Sequence, residues 1–248
     1  MSLRNTAFAL LGCAMILAGC HRQGFDARTF PSTDALFSAS LREFQQRRWQ
    51  NAVQGFERLT TDLPARDPRL ATAYFYLGKS QHNIGEYLTA AQTFQRVSES
   101  FPDDTLADEA LFEAGRSYQR LWRKPTLDAQ HGQSALNVLR TLLVVYPGSP
   151  LVADAQREVA RLEQWFATKD YETGYHYIKR RAYDSAIIYF KDVIENYPNT
   201  PKAREAYLRL LESYRAIRYT EDARELCTAM LERYSTDRDV TRACSGAG

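Results

Sequence analysis

Three scarcities bound this chain before any motif is read. Long apolar runs are the first. Only Ala7 to Leu17 is continuously apolar, too short to span a bilayer as a mature helix, and no later stretch is apolar enough. Charge of one sign is the second. Without Arg4, which lies in that leader, 31 basic residues face 30 acidic ones, so no global charge argues for nucleic acid. Residues in catalytic spacing are the third. The four histidines, His21, His82, His131 and His176, are scattered, and none makes His-Glu-x-x-His or another metal spacing. Around Ser117 the chain reads Gly115-Arg-Ser-Tyr118-Gln, which is helix, and no phosphate-cradling glycine loop occurs. The pattern gives no enzyme, no cofactor and no metal.

Proline is sparse as well, and its placement is informative. Ala52…Phe56…Leu63-Pro64 returns as Ala90…Phe94…Phe101-Pro102, as Ala135…Leu139…Tyr146-Pro147 and as Ala186…Phe190…Tyr197-Pro198. Each alanine stands four residues before a large apolar residue and twelve before a proline. Ala223…Cys227…Tyr234 is a fifth copy with Ser235 in the proline's place. The spacing predicts an amphipathic helix stopped before proline, written five times, and hence an internal repeat.

An earlier helix precedes each of these. In the second copy it is Ala71 to Gln81, with Gly78 at its middle. Glycine costs about 1 kcal/mol there relative to alanine, which a close neighbouring helix would explain. Gly85-Glu-Tyr87 forms the turn. In the first copy Ser32 or Thr33 is a candidate N-cap, and Phe37, Leu41 and Phe44 make the apolar stripe. The third copy is longer between its helices by about eight residues, Arg123 to Gln130. The fourth follows a long uninterrupted helical stretch from Pro150 to about Arg180, with Gly174 as its only glycine.

The leader ends in Leu17-Ala18-Gly19-Cys20. Small residues before a cysteine, directly after a short apolar run, resemble a bacterial lipobox. That resemblance implies cleavage before Cys20 and acyl chains on it, the chain's one anchor. Residues 1–19 are then a signal peptide and 20–31 a lipidated N-terminus and tether. Repeats 1–3 occupy 32–147, the long helix with repeats 4 and 5 occupies 148–235, and 236–248 is a polar tail. His21 stands where an Asp often marks inner-membrane retention in such lipoproteins, which favours the outer membrane.

The pattern Tyr-x-x-Leu-Gly, Gly-x-Tyr, Ala-x-x-x-Phe, Phe-Pro, at Tyr74–Gly78, Gly85–Tyr87, Ala90–Phe94 and Phe101-Pro102, resembles the tetratricopeptide repeat. The expected fold is all-α, a right-handed α-solenoid of about five helix-turn-helix units. Lipobox, tether, repeats, the third-repeat insertion and the long helix before the fourth together resemble the BamD family. These are lipoprotein subunits of the β-barrel assembly machinery. The longest supporting segment runs from Asp128 to Pro201. The resemblance implies a scaffold on the periplasmic face of the outer membrane. It implies docking of the C-terminal repeats on a POTRA domain of the barrel subunit BamA. It also implies an N-terminal groove for signal strands of unfolded outer-membrane proteins. An envelope adaptor that recruits peptidoglycan enzymes is the alternative built from the same parts.

Helical phase places candidate groove residues on the first helices: Phe37 and Phe44, then Phe75, Lys79, His82 and Asn83, then Phe112, Arg116, Gln119 and Arg120. Aromatics edged by cations and amides suit a peptide with apolar anchors and a terminal carboxylate. The same aromatics would equally pack between repeats. Tyr175, Ile178, Lys179, Arg180 and Arg181, with Arg215 and Arg218 in the next repeat, are candidates for docking the barrel subunit. Cys227 and Cys244 remain. A disulfide between them would pin the tail; otherwise Cys227 is a buried thiol in the slot of the repeat phenylalanine and Cys244 is free.

Overall fold

The computed structural model describes residues 24–245, so Cys20 and the leader lie outside the described residues. Those described are helical, with no strand among them. A single 3-10 turn, Ala27–Thr29, precedes α1 (Thr33–Gln45) and α2 (Trp49–Asp62). Next come α3 (Arg69–Asn83) and α4 (Tyr87–Ser100), then α5 (Ala107–Leu121) and α6 (Gln130–Val145). The long α7 (Val152–Lys179) leads to α8 (Tyr183–Asn196), then α9 (Pro201–Ala216) and α10 (Thr220–Arg233). A short α11 (Arg238–Cys244) closes the chain. Each helix packs on its successor, and α1 on α3, α3 on α5 and α7 on α9 also touch. The result is an all-α, tetratricopeptide-like solenoid. The first helix of each pair is termed A and the second B. Because successive helices run antiparallel, the A-to-B turns lie on one edge and the B-to-A connections on the other.

The repeated alanine and phenylalanine are the core. Ala52, Ala90, Ala135 and Ala186 are fully buried, as are Phe56, Phe94, Leu139 and Phe190. Each such large side chain contributes roughly 2–3 kcal/mol by leaving water. The mid-helix glycines make room for them. A Cβ on Gly78 would lie 2.9 Å from the Phe94 ring, on Gly115 2.7 Å from Leu139, and on Gly174 2.9 Å from Phe190. In the fifth repeat the glycine position is taken by Leu211 and the phenylalanine position by Cys227. Both are buried in one cluster. A larger A-helix residue is matched there by a smaller B-helix one, as close packing requires.

The helix stops are local. Leu63, Phe101, Tyr146 and Tyr197 precede prolines and leave the helical region with ψ of 136°, 59°, 60° and 48°. Tyr234 adopts the same bend, ψ 44°, before Ser235, so the position does not need the proline. Ser32 is the cap of α1: its hydroxyl accepts from the Ala35 N–H at 3.2 Å.

The A-to-B turns share one unusual feature. Gly85 has φ +88°, and Arg47, Arg181 and Arg218 occupy the same place, two residues before the B helix, with φ near +60°. Left-handed backbone costs a non-glycine residue about 1–2 kcal/mol.

Three hydrophobic clusters follow one another along the solenoid. One gathers Ala27, Leu36, Phe56, Leu59 and Leu77. The next runs from Phe75 and Phe94 through Trp122 and Leu139 to Leu162 and Phe166. The last runs from Ala167 and Tyr171 to Val240. α7 supplies residues to both of the latter. Its 28 residues extend about 42 Å, and the Phe166 ring stacks on Tyr197 at 6.0 Å where the two clusters meet.

The polar tail is ordered and tied down, as the disulfide alternative for Cys227 and Cys244 requires. Residues 238–244 are helical and Val240 is fully buried. Asp237 caps α11 by accepting from the Asp239 and Val240 N–H groups. Arg204 on α9 reaches both Asp237 (2.8 Å) and Asp239 (2.9 Å), and Arg215 donates to the Ala243 carbonyl. Cys227 and Cys244 are joined, with Cα atoms 5.5 Å apart.

Candidate peptide-binding cleft

The row of groove residues separates into two groups. Phe75 is corrected to the core: it is 4% exposed, edge-on to Phe94 at 5.8 Å, because its helix phase turns it into the next repeat. Phe37 and Phe44 are half-buried and pack edge-on to Phe56 (6.2 Å) and Tyr76 (4.8 Å). Lys79 is engaged by Glu109 at 2.8 Å with its ammonium over Phe75. Asn83 is exposed and donates to the Lys79 carbonyl. Phe112 is half-buried beneath the Arg116 guanidinium, 6.0 Å away.

The remainder converge. His82, Arg116, Gln119 and Arg120 line a cleft of about 590 Å³ between the third A helix and the first half of α7. The sequence reading missed its other wall: Trp122, Arg123, Glu158, Arg161, Leu162 and Trp165, with Tyr87 at the rim. A signal for that wall existed in α7, where 158, 161, 162 and 165 recur at helical spacing on one face. Trp122 forms the floor. It is 2% exposed, packed edge-on to Trp165 at 5.3 Å and against Phe166 at 4.6 Å.

The cleft has excess positive charge and spare donors. Arg116, Arg120, Arg123 and Arg161 face it against Glu158 alone among the lining residues. Arg161 is held at 2.6 Å by Glu158 and donates to Gln119, whose amide returns a bond to Glu158 at 3.0 Å. Arg116 leans on Glu113 at 3.3 Å. Arg120 lies over the Tyr87 ring and donates to its hydroxyl at 3.2 Å. Arg123 has no ion-pair partner among the described residues. The Trp122 indole N–H is buried without an acceptor, a state that costs about 1–3 kcal/mol. Burial, then Arg116, Arg120 and Lys79, push the His82 pKa below its usual value, and its Nδ1 lies 2.8 Å from the Ser117 hydroxyl. Neutral imidazole among four guanidiniums is an environment that favours an incoming anion.

The model of the YfiO family, described as outer membrane lipoprotein, matches residues 31–228. The chain belongs to that family. The match takes in the first four repeats and the whole cleft, and ends inside α10 of the fifth. Relatives carry the name outer membrane protein assembly factor BamD. That of Xylella fastidiosa strain Temecula1 is 23% identical over 216 residues, 83% of this chain and 73% of its own. That of Vibrio cholerae is 25% identical over 75% of this chain and 81% of its own. The Rickettsia prowazekii protein is 20% identical over 96% and 94%. Among solved structures, the P58(IPK) TPR domain resembles 87% of this chain and 55% of its own at 15% identity and TM-score 0.44.

The family member's second group of candidate residues lies apart from the cleft, at the far end of α7. Tyr175 stacks on Tyr171 at 6.4 Å, with Lys179 at 5.2 Å and Arg209 at 5.3 Å from its ring. Ile178 is half-buried against the last cluster. Lys179, Arg180, Arg181, Arg215 and Arg218 are exposed. Among the described residues, no group of three His, Cys, Asp or Glu is placed to hold a metal ion, and no helix is long and apolar enough to cross a membrane.

Proposed function

We propose that this chain is a non-catalytic scaffold of the outer-membrane β-barrel assembly machinery, lipid-anchored through Cys20 on the periplasmic face. It helps fold and insert outer-membrane proteins. The observation that carries the reading is the arginine-rich cleft with its orphan indole donor, in a member of an outer-membrane lipoprotein family. The cleft receives the terminal carboxylate of an unfolded outer-membrane protein, with Arg116 and Arg120 as the principal cations. The exposed end of α7 and the turn after α9 dock a POTRA domain of BamA.

Peptide anisotropy tests the cleft. A labelled peptide with a free C-terminal carboxylate binds the wild type more tightly than its amidated twin. R116E/R120E weakens the first by roughly 10- to 100-fold, as expected for a charge-assisted bond of about 1.5–3 kcal/mol. Equal affinity for both peptides refutes the carboxylate reading. Detergent extraction of the acylated protein with its partners tests the scaffold. A stoichiometric barrel protein with periplasmic repeat domains supports it, and cell-wall hydrolases without a barrel transfer the fold to the envelope-adaptor reading.

A further inference from the structure

The fourth repeat is stacked differently from its neighbours. Aligned on Gly78, Gly115, Gly174 and Leu211, the A helices share a stripe at helical spacing that turns toward the B helix before them. Its positions are four residues before the aligned residue, one before it and three after it. In α5 they hold Leu111, Ala114 and Tyr118, all buried, and in α9 the last two hold Leu210 and Tyr214, buried as well. The covering helix shows in both. The Tyr118 hydroxyl donates to Gln95 on α4 at 2.8 Å, and the Lys191 ammonium of α8 lies 5.9 Å from the Tyr214 ring centre. Gln95 and Lys191 each stand five residues after their repeat's alanine, Ala90 and Ala186, so one register holds for both contacts.

In the fourth repeat the same stripe is Asp170, Thr173 and Tyr177, all part-exposed. Arg140 of α6 has the register of Gln95 and Lys191. It pairs instead with Glu163 at 2.9 Å, 14 residues before Tyr177, or about 21 Å along α7. The double length of α7 is the cause. α6 packs on its first half, and the loop entering α6 meets α7 at Lys169, which donates to the Leu127 carbonyl at 3.1 Å. Beyond Lys169, no preceding B helix among the described residues covers this side of α7.

The side chains there are aromatic and acidic. Tyr177 stacks on Tyr189 of α8 at 5.5 Å. Ile188 beside it is 60% exposed. Asp192, one turn further along α8, faces Asp170. In the second repeat the same two positions hold Arg96 and Tyr74, the guanidinium 5.6 Å from the ring centre; here they hold two carboxylates. Burial first, then Asp192, push the Asp170 pKa up to about 6, with Lys169 opposing, and among the described residues neither aspartate is in an ion pair. A cation brought to such a pair is attracted by both carboxylates.

We infer that this step in the solenoid docks a basic amphipathic helix of a partner protein, laid where a preceding B helix lies in the other repeats. A lysine or arginine of that helix sits between Asp170 and Asp192, and its apolar residues pack on Tyr177, Tyr189 and Ile188. A helix covers the same stripe in α5 and α9, which argues for a helical occupant. The two carboxylates argue for a basic one. None of these five residues lines the cleft or belongs to the docking turns, so the inference stands apart from both.

The full chain tests it with a stapled 14-residue helix as probe, leucines along one face and lysines beside them. Its twin carries glutamates in place of the lysines. By fluorescence anisotropy the lysine helix binds the wild type at least about tenfold more tightly than the twin. D170N/D192N weakens the lysine helix by about tenfold while melting at or above the wild-type temperature, which separates lost docking from misfolding. D170K/D192K reverses the preference between the two helices. Amide exchange on binding slows at 170–177 and 188–192. Equal affinity for the two helices, a preference unmoved by the aspartate variants, or protection elsewhere overturns the inference. In cells, p-benzoylphenylalanine in place of Ile188 cross-links to a lysine- or arginine-bearing helical segment of another protein, sequenced by mass spectrometry. A cross-link confined to lipid or to a second copy of this chain gives the face a different occupant and overturns the inference.

Discussion

Gly132→Ala is a one-methyl test of the cleft's floor. Gly132 is buried in the first turn of α6. A Cβ there would stand 2.1 Å from Trp122 Cε3 and 2.5 Å from Cζ3, more than an ångström inside contact distance. The indole cannot simply swing away, because Trp165 and Phe166 press on it from 5.3 and 4.6 Å. Overpacking of this kind costs about 1–3 kcal/mol, and alanine returns part of about 1 kcal/mol in helix propensity. The net loss is about 1–2 kcal/mol, which at this chain length lowers Tm by roughly 2–8 °C. Gly148→Ala is the control. A Cβ there meets nothing within 4 Å, and removing glycine from a compatible site stabilises by about 0.4–1 kcal/mol through the unfolded chain. Thermal unfolding by circular dichroism at a single protein concentration reads both. Tryptophan emission reports whether the Trp122 environment shifts with the first. If Gly132→Ala melts at or above the wild-type temperature with unchanged emission, then Trp122 is not wedged as described, and the cleft's shape is not set by it.

Further expectations bear on charge and the C-terminal cap. Reducing the Cys227–Cys244 bond, which closes a 17-residue separation, costs about 3 kcal/mol by loop entropy. It raises amide exchange in 238–244 before exchange in α9, and uniform exchange would contradict the cap. Arg204 holds the Asp237 carboxyl far below its ordinary pKa. That contribution is present above pH 4 and fades as pH falls below it, so the hold on α11 weakens in acid and Arg204→Ala reduces the dependence, the backbone N–H groups of Asp239 and Val240 supplying the remainder. Burial first, then Asp192, raise the Asp170 pKa to about 6. Its protonated form suits the fold, so stability is lost as pH rises from 4 through 6. Asp170→Asn is then more stable than wild type at pH 8 by about 1–2 kcal/mol, after discounting for the carboxyl's exposed part, and indistinguishable at pH 3; chemical denaturation at both pH values measures it. A carboxylate bound in the cleft raises the His82 pKa followed by NMR, whereas an unmoved His82 titration places the ligand elsewhere.

What the sequence disclosed follows from where its information is local. The alanine, phenylalanine and proline spacing is set by one helix packing on the next, so the helices, their stops and the close approach at Gly78 were legible. Ser32 was legible as a cap because capping is decided within four residues. The cleft was half legible. His82, Arg116, Gln119 and Arg120 share one surface of consecutive A helices, but their opposing wall comes from α7, some 40 residues on. Phase alone also could not say that Phe75 points between repeats, since a phenylalanine on an A helix serves packing and binding by the same spacing. The α11 cap escaped notice because its hold is tertiary: Arg204 and Arg215 reach it from about 30 residues away.

The continuity of α7 carries a mechanical corollary. Its first half is cemented into the cleft's cluster and its second half into the cluster beneath Tyr171, with no break between Leu162 and Tyr171. The helix acts as a shaft coupling the two ends. Adding a single residue near its midpoint would advance everything beyond by 1.5 Å and rotate it by about 100°. The Phe166–Tyr197 stack would then be lost and the two ends of the solenoid thrown out of phase. Insertions here are tolerable only near whole numbers of turns, whereas the exposed stretch 126–128, beyond Trp122 and Arg123, can change length with far less consequence. The relative orientation of the cleft and of the basic turns beyond α7 is thus fixed by a residue count.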